Sequence, residues 1–389
     1  MTAWLDIVGV GEGHLPPLPP GRTVLGPKRL KARVPQLVEW EQPTLETMLA
    51  QILRFRGTPT VVLASGDPMW FGIGATLSRH LSAEEFRVDP APSAFQLAAA
   101  RLGWPLQHVV TLSLHGRPGE LILPHVTPGN RILALTTDKT TAPHVARLLS
   151  ARGYGRSVIT VLESLGGPEE RVLRAEALGF DLRIEDFYVL AVDCVADPGA
   201  TLLPPVPGLP DDAFISDGTI TKREIRAATL GRLMPYPGAL LWDVGAGCGS
   251  VAVEWMRAAR DARAIAFERE GERLQMIAVN ADRLGVPGLR IESGEAPQSL
   301  VGMPEPDAIF LGGGVSDEAL FHACWTALRR GGRLVANAVT IEGEHALYAR
   351  QARLGGELVR IEVAVLDTLG EHRALRPRMA VTQWAVHKP

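Results

Sequence analysis

Residues 240–250 read L-L-W-D-V-G-A-G-C-G-S. An apolar run, an acid and then a glycine at every second position, with helical spacing behind, predict a strand, a tight loop and a helix. An α/β domain uses that order to turn backbone N–H groups at a helix N-terminus toward a ligand. Glycine strings arise easily in a chain with 40 glycines, so the surroundings must decide. Glu268 follows about 20 residues on, at the end of the next apolar run, where a carboxylate accepts hydrogen bonds from ribose hydroxyls. A nucleoside ligand is expected. Asp243 separates two candidates, because at the loop's entry it repels the pyrophosphate of NAD and attracts a sulfonium or ammonium. Ser250 also stands where dinucleotide loops carry Gly or Ala. The expected cofactor is therefore S-adenosylmethionine (SAM), with an NAD(P)-dependent oxidoreductase as the alternative.

The motif begins past the middle of a chain of 389 residues. Around it, strands expected at 240–244, 264–268, 289–292, 307–311 and 333–336 alternate with helical patterns at 221–233, 250–259, 271–284, 317–329 and 342–353. That alternation predicts a doubly wound, Rossmann-like parallel sheet. Residues 358–367 and 378–387 read as two closing strands, the last antiparallel. Ahead of the motif, expected strands at 6–10, 60–64, 109–113, 131–136, 157–162 and 187–192 and helices at 95–102 and 143–152 form a second α/β region. Between the two, A-D-P-G-A-T-L-L-P-P-V-P-G-L-P-D-D (196–212) has no apolar periodicity and reads as a linker. The expected division is 1–197, a Pro-rich linker at 198–208, and 209–389.

A formal charge of -3 offers no basic footprint for a polyanion, so no nucleic-acid partner is expected. Three cysteines, Cys194, Cys248 and Cys324, form no C-x-x-C pair and no disulfide framework, which points to a reducing compartment and no metal site. Asp6 interrupts what would be a signal-peptide core, and no run approaches the roughly 20 apolar residues of a span. A cytoplasmic protein without a membrane partner is expected.

The loop S-G-E-A (293–296), after the third strand, stands where an adenine ring is held, and brings in Glu295 and Ala296. The fourth strand ends F-L-G-G-G (310–314) and lacks the N/D-P-P-Y/F run of enzymes that methylate base or side-chain nitrogen. Gly312 and Gly313 leave room there for a bulky flat substrate. Together with T-K-R-E-I-R (221–226) and D-V-G-A-G-C-G (243–249), this set resembles the decarboxylating precorrin methyltransferases of cobalamin biosynthesis (CbiT type), a class I SAM-dependent fold, across 209–389. The resemblance implies SAM contacts at Thr221, Gly245, Ala246, Gly247, Cys248, Gly249, Glu268 and Ala296, beside Asp243.

The opening I-V-G-V-G-E-G (7–13) is followed by H-L-P-P-L-P-P-G. Proline lacks a backbone donor, so this is no ordinary dinucleotide loop. Further on come L-A-S-G-D-P-M-W-F-G-I-G (63–74), P-S-A-F-Q (92–96), S-L-H-G-R (113–117) and L-E-S-L-G-G-P-E-E-R (162–171). As an ordered set they resemble the tetrapyrrole methylase family (CbiE type) over about residues 4–193. That resemblance implies two α/β lobes with SAM between them, held largely by backbone at Ser65, Gly66, Asp67, Trp70, Phe95, Gln96 and Thr136. Many members have a small hydroxyl residue where Phe95 stands, so only its backbone contact carries over.

The two regions together resemble a fused, bifunctional family (CobL type). It methylates a reduced precorrin-6 at carbons 5 and 15 and decarboxylates the ring-C acetate to give precorrin-8. Two SAM sites per chain and a homo-oligomer are expected; the alternative is a single-activity methyltransferase on another tetrapyrrole. His322, Glu342 and His345 are candidate general acids for the decarboxylation by residue type. Arg117 and Arg226 are candidates to grip substrate carboxylates.

Overall fold

Runs such as T-V-V-L-A-S and L-L-W-D-V do not alternate between apolar and polar, and such strands are stable where both faces are covered. The computed structural model places them so, and describes residues 3–11, 15–40 and 44–389. Gly13, in the opening glycine run, lies outside the described residues. The chain forms two units, Met1–Gly119 with Pro128–Ala200, and Glu120–Thr127 with Thr201–Pro389.

The first unit has two sheets. One contains β1 (Leu5–Val10), β2 (Thr23–Gly26), β3 (Val38–Glu39), β4 (Thr60–Ser65) and β5 (Phe86–Asp89), ordered β3-β2-β4-β1-β5 and parallel throughout. Helices α1 (Leu45–Leu53) and α2 (Ile73–Leu77) belong to this lobe. Helix α3 (Ala94–Leu102) opens on a capping box between Ser93 and Gln96, which satisfies two otherwise orphaned N–H groups. The second sheet contains β6 (Val109–Ser113), β7 (Arg131–Leu135), β8 (Val158–Glu163), β9 (Arg171–Glu176) and β10 (Tyr188–Asp193), ordered β6-β7-β10-β8-β9, with α4 (Thr141–Ala151) between β7 and β8. Phe95, Ala98 and Ala99 of α3 are buried with Leu133, Leu162 and Val189 of this sheet.

In the second unit α5 (Arg223–Leu233) precedes β11 (Leu240–Val244), α6 (Ser250–Ala258), β12 (Arg263–Glu268), α7 (Gly271–Arg283), β13 (Arg290–Ser293), β14 (Ala308–Leu311), α8 (Glu318–Ala327), β15 (Arg333–Ala338) and α9 (Ile341–Leu354). With β16 (Glu357–Ile361) and β19 (Val381–His387) the sheet runs β13-β12-β11-β14-β15-β19-β16. The first five of these strands are parallel, and β19 is antiparallel to both of its neighbours. Helices α5, α6 and α7 bury Leu230, Trp255 and Ile277 on one face, and α8 and α9 bury Phe321 and Leu347 on the other. This is the doubly wound architecture expected. Residues 358–367, expected as one closing strand, belong instead to two. The chain leaves the sheet after Ile361 and forms a separate ribbon of β17 (Ala364–Leu369) and β18 (His372–Pro377).

The Pro-rich stretch is not a tether without an apolar face. Leu203 and Leu209 are buried in the second unit's core beside Phe214 and Trp255. Gly208 N and Leu209 N donate to the Glu254 carboxylate at 2.6 and 3.0 Å, and Arg257 Nη2 donates to Leu203 O at 2.6 Å. Leucines this far apart make no periodic signal, so the docking is invisible to a pattern search.

Candidate functional site

Chain order reverses between β11 and β14, so the crevice beyond their carboxyl ends is the topological switch point at which such sheets bind ligands. Two glycine loops touch there. Gly312 N donates to Val244 O at 3.0 Å. A Cβ added at Gly245 would lie 3.1 Å from Gly313 N, and one at Gly312 would lie 3.0 Å from Gly245 O. Gly245 and Gly312 are thus the residues that let two backbones meet. Gly313 differs, since nothing lies within 4 Å of its Cβ position. Of the two glycines expected to make room for substrate, Gly313 faces open space, and Gly312 instead packs one loop on the other.

Asp243 lies beneath the loop, 1% exposed. Its Oδ2 accepts from Ala252 N at 3.0 Å, in the first turns of α6. Its Oδ1 has no partner among the described residues. Burial pushes this carboxyl up to about 7, with the charge of Glu268 adding to the rise and the Ala252 N–H opposing it. Glu268 reaches across from β12, where Oε2 accepts from Gly247 N at 2.8 Å and Oε1 from Arg269 N and Glu270 N at 2.9 and 3.1 Å. Gly294 N donates to Glu268 O at 3.1 Å, which sets the 293–296 loop beside it. Glu295 there pairs with Arg269 at 3.3 Å, and Ala296 packs on the core. The Gly247 Cβ position is 3.4 Å from Thr219 O, so the segment leading to Thr221 passes the same loop. An orphaned buried carboxylate oxygen under a glycine cradle, beside a second acid, suits a cationic nucleoside such as SAM. It would repel a pyrophosphate.

Cys248 contributes backbone only. Its thiol is buried in the core and pushed up by that burial, and its carbonyl accepts from Asn280 Nδ2 at 2.9 Å. Asn280, fully buried on α7, also exchanges hydrogen bonds with Ile215 at 2.8 and 2.9 Å and so anchors the glycine loop. The sequence reading missed it, although an amide on the buried face of an amphipathic helix is a usable signal. Arg226 corrects an expectation. It is 0% exposed, with Nε on Glu254 at 2.6 Å, Nη1 on Asp211 at 3.1 Å and on Thr221 O, and Nη2 on Leu209 O. It therefore fastens the 208–211 stretch to α5 and α6 and does not stand at a cleft mouth. His322 on α8, and Glu342 and His345 on α9, are exposed. No side-chain hydrogen bond or ion pair holds any of the three among the described residues.

In the first unit, the residues expected at SAM lie at the ends of β4 and β7 and at the start of α3. A Cβ at Gly66 would lie 3.1 Å from Ser93 Cα, and one at Gly9 would lie 2.4 Å from both Ala91 N and Gly66 O. The ends of β1 and β4 and the stretch leading into α3 therefore converge at one edge. Ser65 accepts from Arg29 through its hydroxyl, Asp67 Oδ1 accepts from Met69 N at 2.8 Å, and Gln96 Oε1 accepts from Ser93 N at 2.7 Å. These side chains hold loops and leave backbone edges for a ligand. Trp70 packs 5.8 Å from Phe95 between ring centroids, and Phe95 is 1% exposed. Phe71 also touches that ring and sits at φ +57°, a strained conformation for a bulky residue and one that recurs at ligand sites. Thr136 donates from Oγ1 to Tyr188 O at 2.8 Å. Arg117 is exposed.

Two α/β units, each with a close-packed backbone edge at strand ends, define the chain as a fusion of two methyltransferase-type folds, and family models match both. Residues 28–178 match the Tetrapyrrole (Corrin/Porphyrin) Methylases and residues 212–388 the Precorrin methyltransferase domain. A precorrin-6Y C(5,15)-methyltransferase [decarboxylating] from Sinorhizobium sp is 45% identical over 99% of this chain and 96% of its own length. A probable cobalt-precorrin-6B C(15)-methyltransferase (decarboxylating) from Sulfolobus acidocaldarius is 34% identical over 41% of this chain and 85% of its own. The solved C-terminal domain of precorrin-6Y C5,15-methyltransferase from Rhodobacter capsulatus is 43% identical, covering 48% of this chain and 100% of that one, at a TM-score of 0.46. The chain belongs to the family of decarboxylating precorrin-6Y C(5,15)-methyltransferases.

Among the described residues no helix is long and apolar enough to cross a membrane, and the three cysteines, all buried, form no disulfide.

Proposed function

We propose that the chain methylates a reduced precorrin-6 at carbons 5 and 15 and removes the ring-C acetate carboxyl to give precorrin-8, with one SAM site in each unit. The observation that carries this is a full-length match to a bifunctional family in a chain whose two units each have a loop arrangement of their own. The first unit takes carbon 5; the second takes carbon 15 and the decarboxylation. The Sulfolobus relative supports a division into separable activities, since it bears the C(15) and decarboxylating name alone and matches only 41% of this chain.

Meso carbons of a reduced tetrapyrrole are electron-rich, so the methyl transfers need alignment of carbon, methyl and sulfur in a water-poor cleft more than strong acid or base. Asp243 favours the cationic cofactor, and Arg117 reads a substrate carboxylate. Decarboxylation sends an electron pair into the macrocycle and requires a placed proton, for which His322, Glu342 and His345 are the candidates by residue type. Domain limits at 1–197 and 209–389, with residues 201–208 of the stretch between them docked on the second unit, and a cytoplasmic location complete the reading.

A homo-oligomer is part of it too. The β17–β18 ribbon pairs Leu366 with Leu375, both more than 60% exposed, and an isolated two-stranded ribbon is marginal in water. Calorimetric titration with S-adenosylhomocysteine should give two equivalents per chain with separable affinities. A single equivalent bound by an intact, folded chain contradicts the bifunctional reading.

A further inference from the structure

Methyl transfer to a methine carbon leaves a proton to be removed. When the macrocycle's π electrons take the methyl group, that carbon carries both methyl and hydrogen, and conjugation returns only when the C–H bond gives its electron pair back. In the first-unit site described above, Asp67 and Gln96 use their side chains to hold loops and Thr136 donates to a backbone carbonyl. Each of these side chains is committed to a structural hydrogen bond.

The turn L-H-G-R supplies a base. Arg117 N donates to Leu114 O at 3.1 Å, and Gly116 takes the left-handed corner at φ +65°. The turn is pinned to the end of β7. Leu114 N donates to Leu135 O at 2.8 Å, Gly116 N to Thr137 Oγ1 at 2.8 Å, and Thr137 Oγ1 to Leu114 O at 2.9 Å. In this frame His115 Nδ1 lies 3.0 Å from Thr136 O. A carbonyl oxygen only accepts, so Nδ1 carries the proton of that bond and the neutral ring keeps its lone pair on Nε2. The residue is exposed. Arg117, on the same turn, has no ion-pair partner among the described residues and is free to hold a carboxylate of the same macrocycle. Nearby carboxylates are engaged elsewhere, Asp138 with Thr140 at 2.5 and 2.8 Å and Asp186 with Lys139 N at 3.1 Å.

We infer that His115 is the catalytic base that takes the proton from carbon 5 during methyl transfer in the first unit, an inference that rests on the function proposed above. The carbon–carbon bond forms from the macrocycle's π electrons, and the sulfur–methyl bond breaks with its pair left on sulfur as a thioether. The C5–H bond then breaks, its pair restores conjugation, and the proton goes to Nε2. The Thr136 carbonyl stabilises the resulting imidazolium through Nδ1–H, and water removes the proton afterwards.

The test uses the full-length chain and two variants. His115→Asn keeps an N–H donor for Thr136 O and has no basic nitrogen, whereas His115→Ala opens a space for added imidazole. Mass spectrometry reads methylation at carbons 5 and 15 and carbon dioxide release in one reaction, while calorimetry reads cofactor affinity. General bases contribute roughly 10²–10⁴-fold, so transfer to carbon 5 should slow by about 100-fold or more in both variants. Transfer to carbon 15, carbon dioxide release and cofactor affinity should stay within about twofold of wild type, and imidazole should restore part of the His115→Ala rate. A carbon-5 rate within threefold of wild type in His115→Asn overturns the inference. So does a loss of cofactor affinity that matches the loss of rate, which would make His115 a shaper of the cofactor site. Wild-type chain that methylates no reduced precorrin at either carbon overturns the functional reading itself, an outcome distinct from loss at carbon 5 alone.

Discussion

Replacing Arg226 by methionine keeps a flexible stem of similar volume and removes a guanidinium that is fully buried. Glu254, 1% exposed, would keep the N–H groups of Gly208 and Leu209 and lose the Arg226 Nε bond at 2.6 Å. Breaking a buried pair from one side costs ~3–5 kcal/mol, because the remaining charge is left uncompensated. The two retained N–H donors put Glu254 toward the lower end, about 3 kcal/mol. The stacking of Arg226 over Phe214, 4.8 Å from ring centre to guanidinium carbon, goes as well, but shares the same geometry and is not added separately. A domain of this size loses roughly 2–4 °C of melting temperature per kcal/mol. Differential scanning calorimetry should therefore show the second unit's transition about 6–12 °C lower. Fitted to the folded fraction, KM for the tetrapyrrole should be unchanged. A variant that melts within about 2 °C of wild type while KM rises tenfold would refute this and make Arg226 the substrate reader its sequence position implies.

Asp243 predicts a pH dependence. Its carboxyl is raised from 3.8 to about 7, so the neutral form favours the fold; that stability is fully present below about pH 4 and is lost as pH rises through 7. A bound sulfonium favours the ionised form, so cofactor binding in the second unit should release a proton at pH 6 and tighten with pH until about 7. Titration calorimetry in buffers of different ionisation enthalpy should show that release in wild type and lose it in Asp243→Asn, and equal heats for wild type in all buffers would contradict it. A second-unit fragment starting at Thr201 should melt higher than one starting at Asp211. The shorter fragment lacks Leu203 and Leu209, each worth ~1.5–3 kcal/mol of burial, and the two N–H groups on Glu254. Equal melting would mean that residues 201–210 are an idle tether.

What the sequence made legible is what burial writes into pattern. β4 and β11 are continuous apolar runs because both faces are covered, and both were readable. β2, β3 and β5 were not, being two to four residues long, and of the β17–β18 ribbon only residues 364–367 were legible, run together with β16, while the wholly exposed β18 was not. At the switch point the glycine spacing announced the loop, yet which glycine packs and which faces open space depends on residues 312–313, far away in sequence. Arg226 failed for a similar reason. Its partners Asp211 and Glu254 lie 15 and 28 residues away, and only folding brings them round its guanidinium.

The central claim is that one chain carries two methyl-transfer sites with different products, and side chains placed in each test it. Gly313→Trp meets nothing within 4 Å at its Cβ and fills the crevice at β14, while Ser65→Trp covers the exposed end of β4. Mass spectrometry of the product from reduced precorrin-6 and SAM, with carbon dioxide trapped, is the measurement. Gly313→Trp should yield a macrocycle with one added methyl and its acetate carboxyl retained, and Ser65→Trp one with a single added methyl and the carboxyl gone. Carbon dioxide released from Gly313→Trp at the wild-type rate, or both methylations lost together in either variant while both units remain folded, contradicts the account.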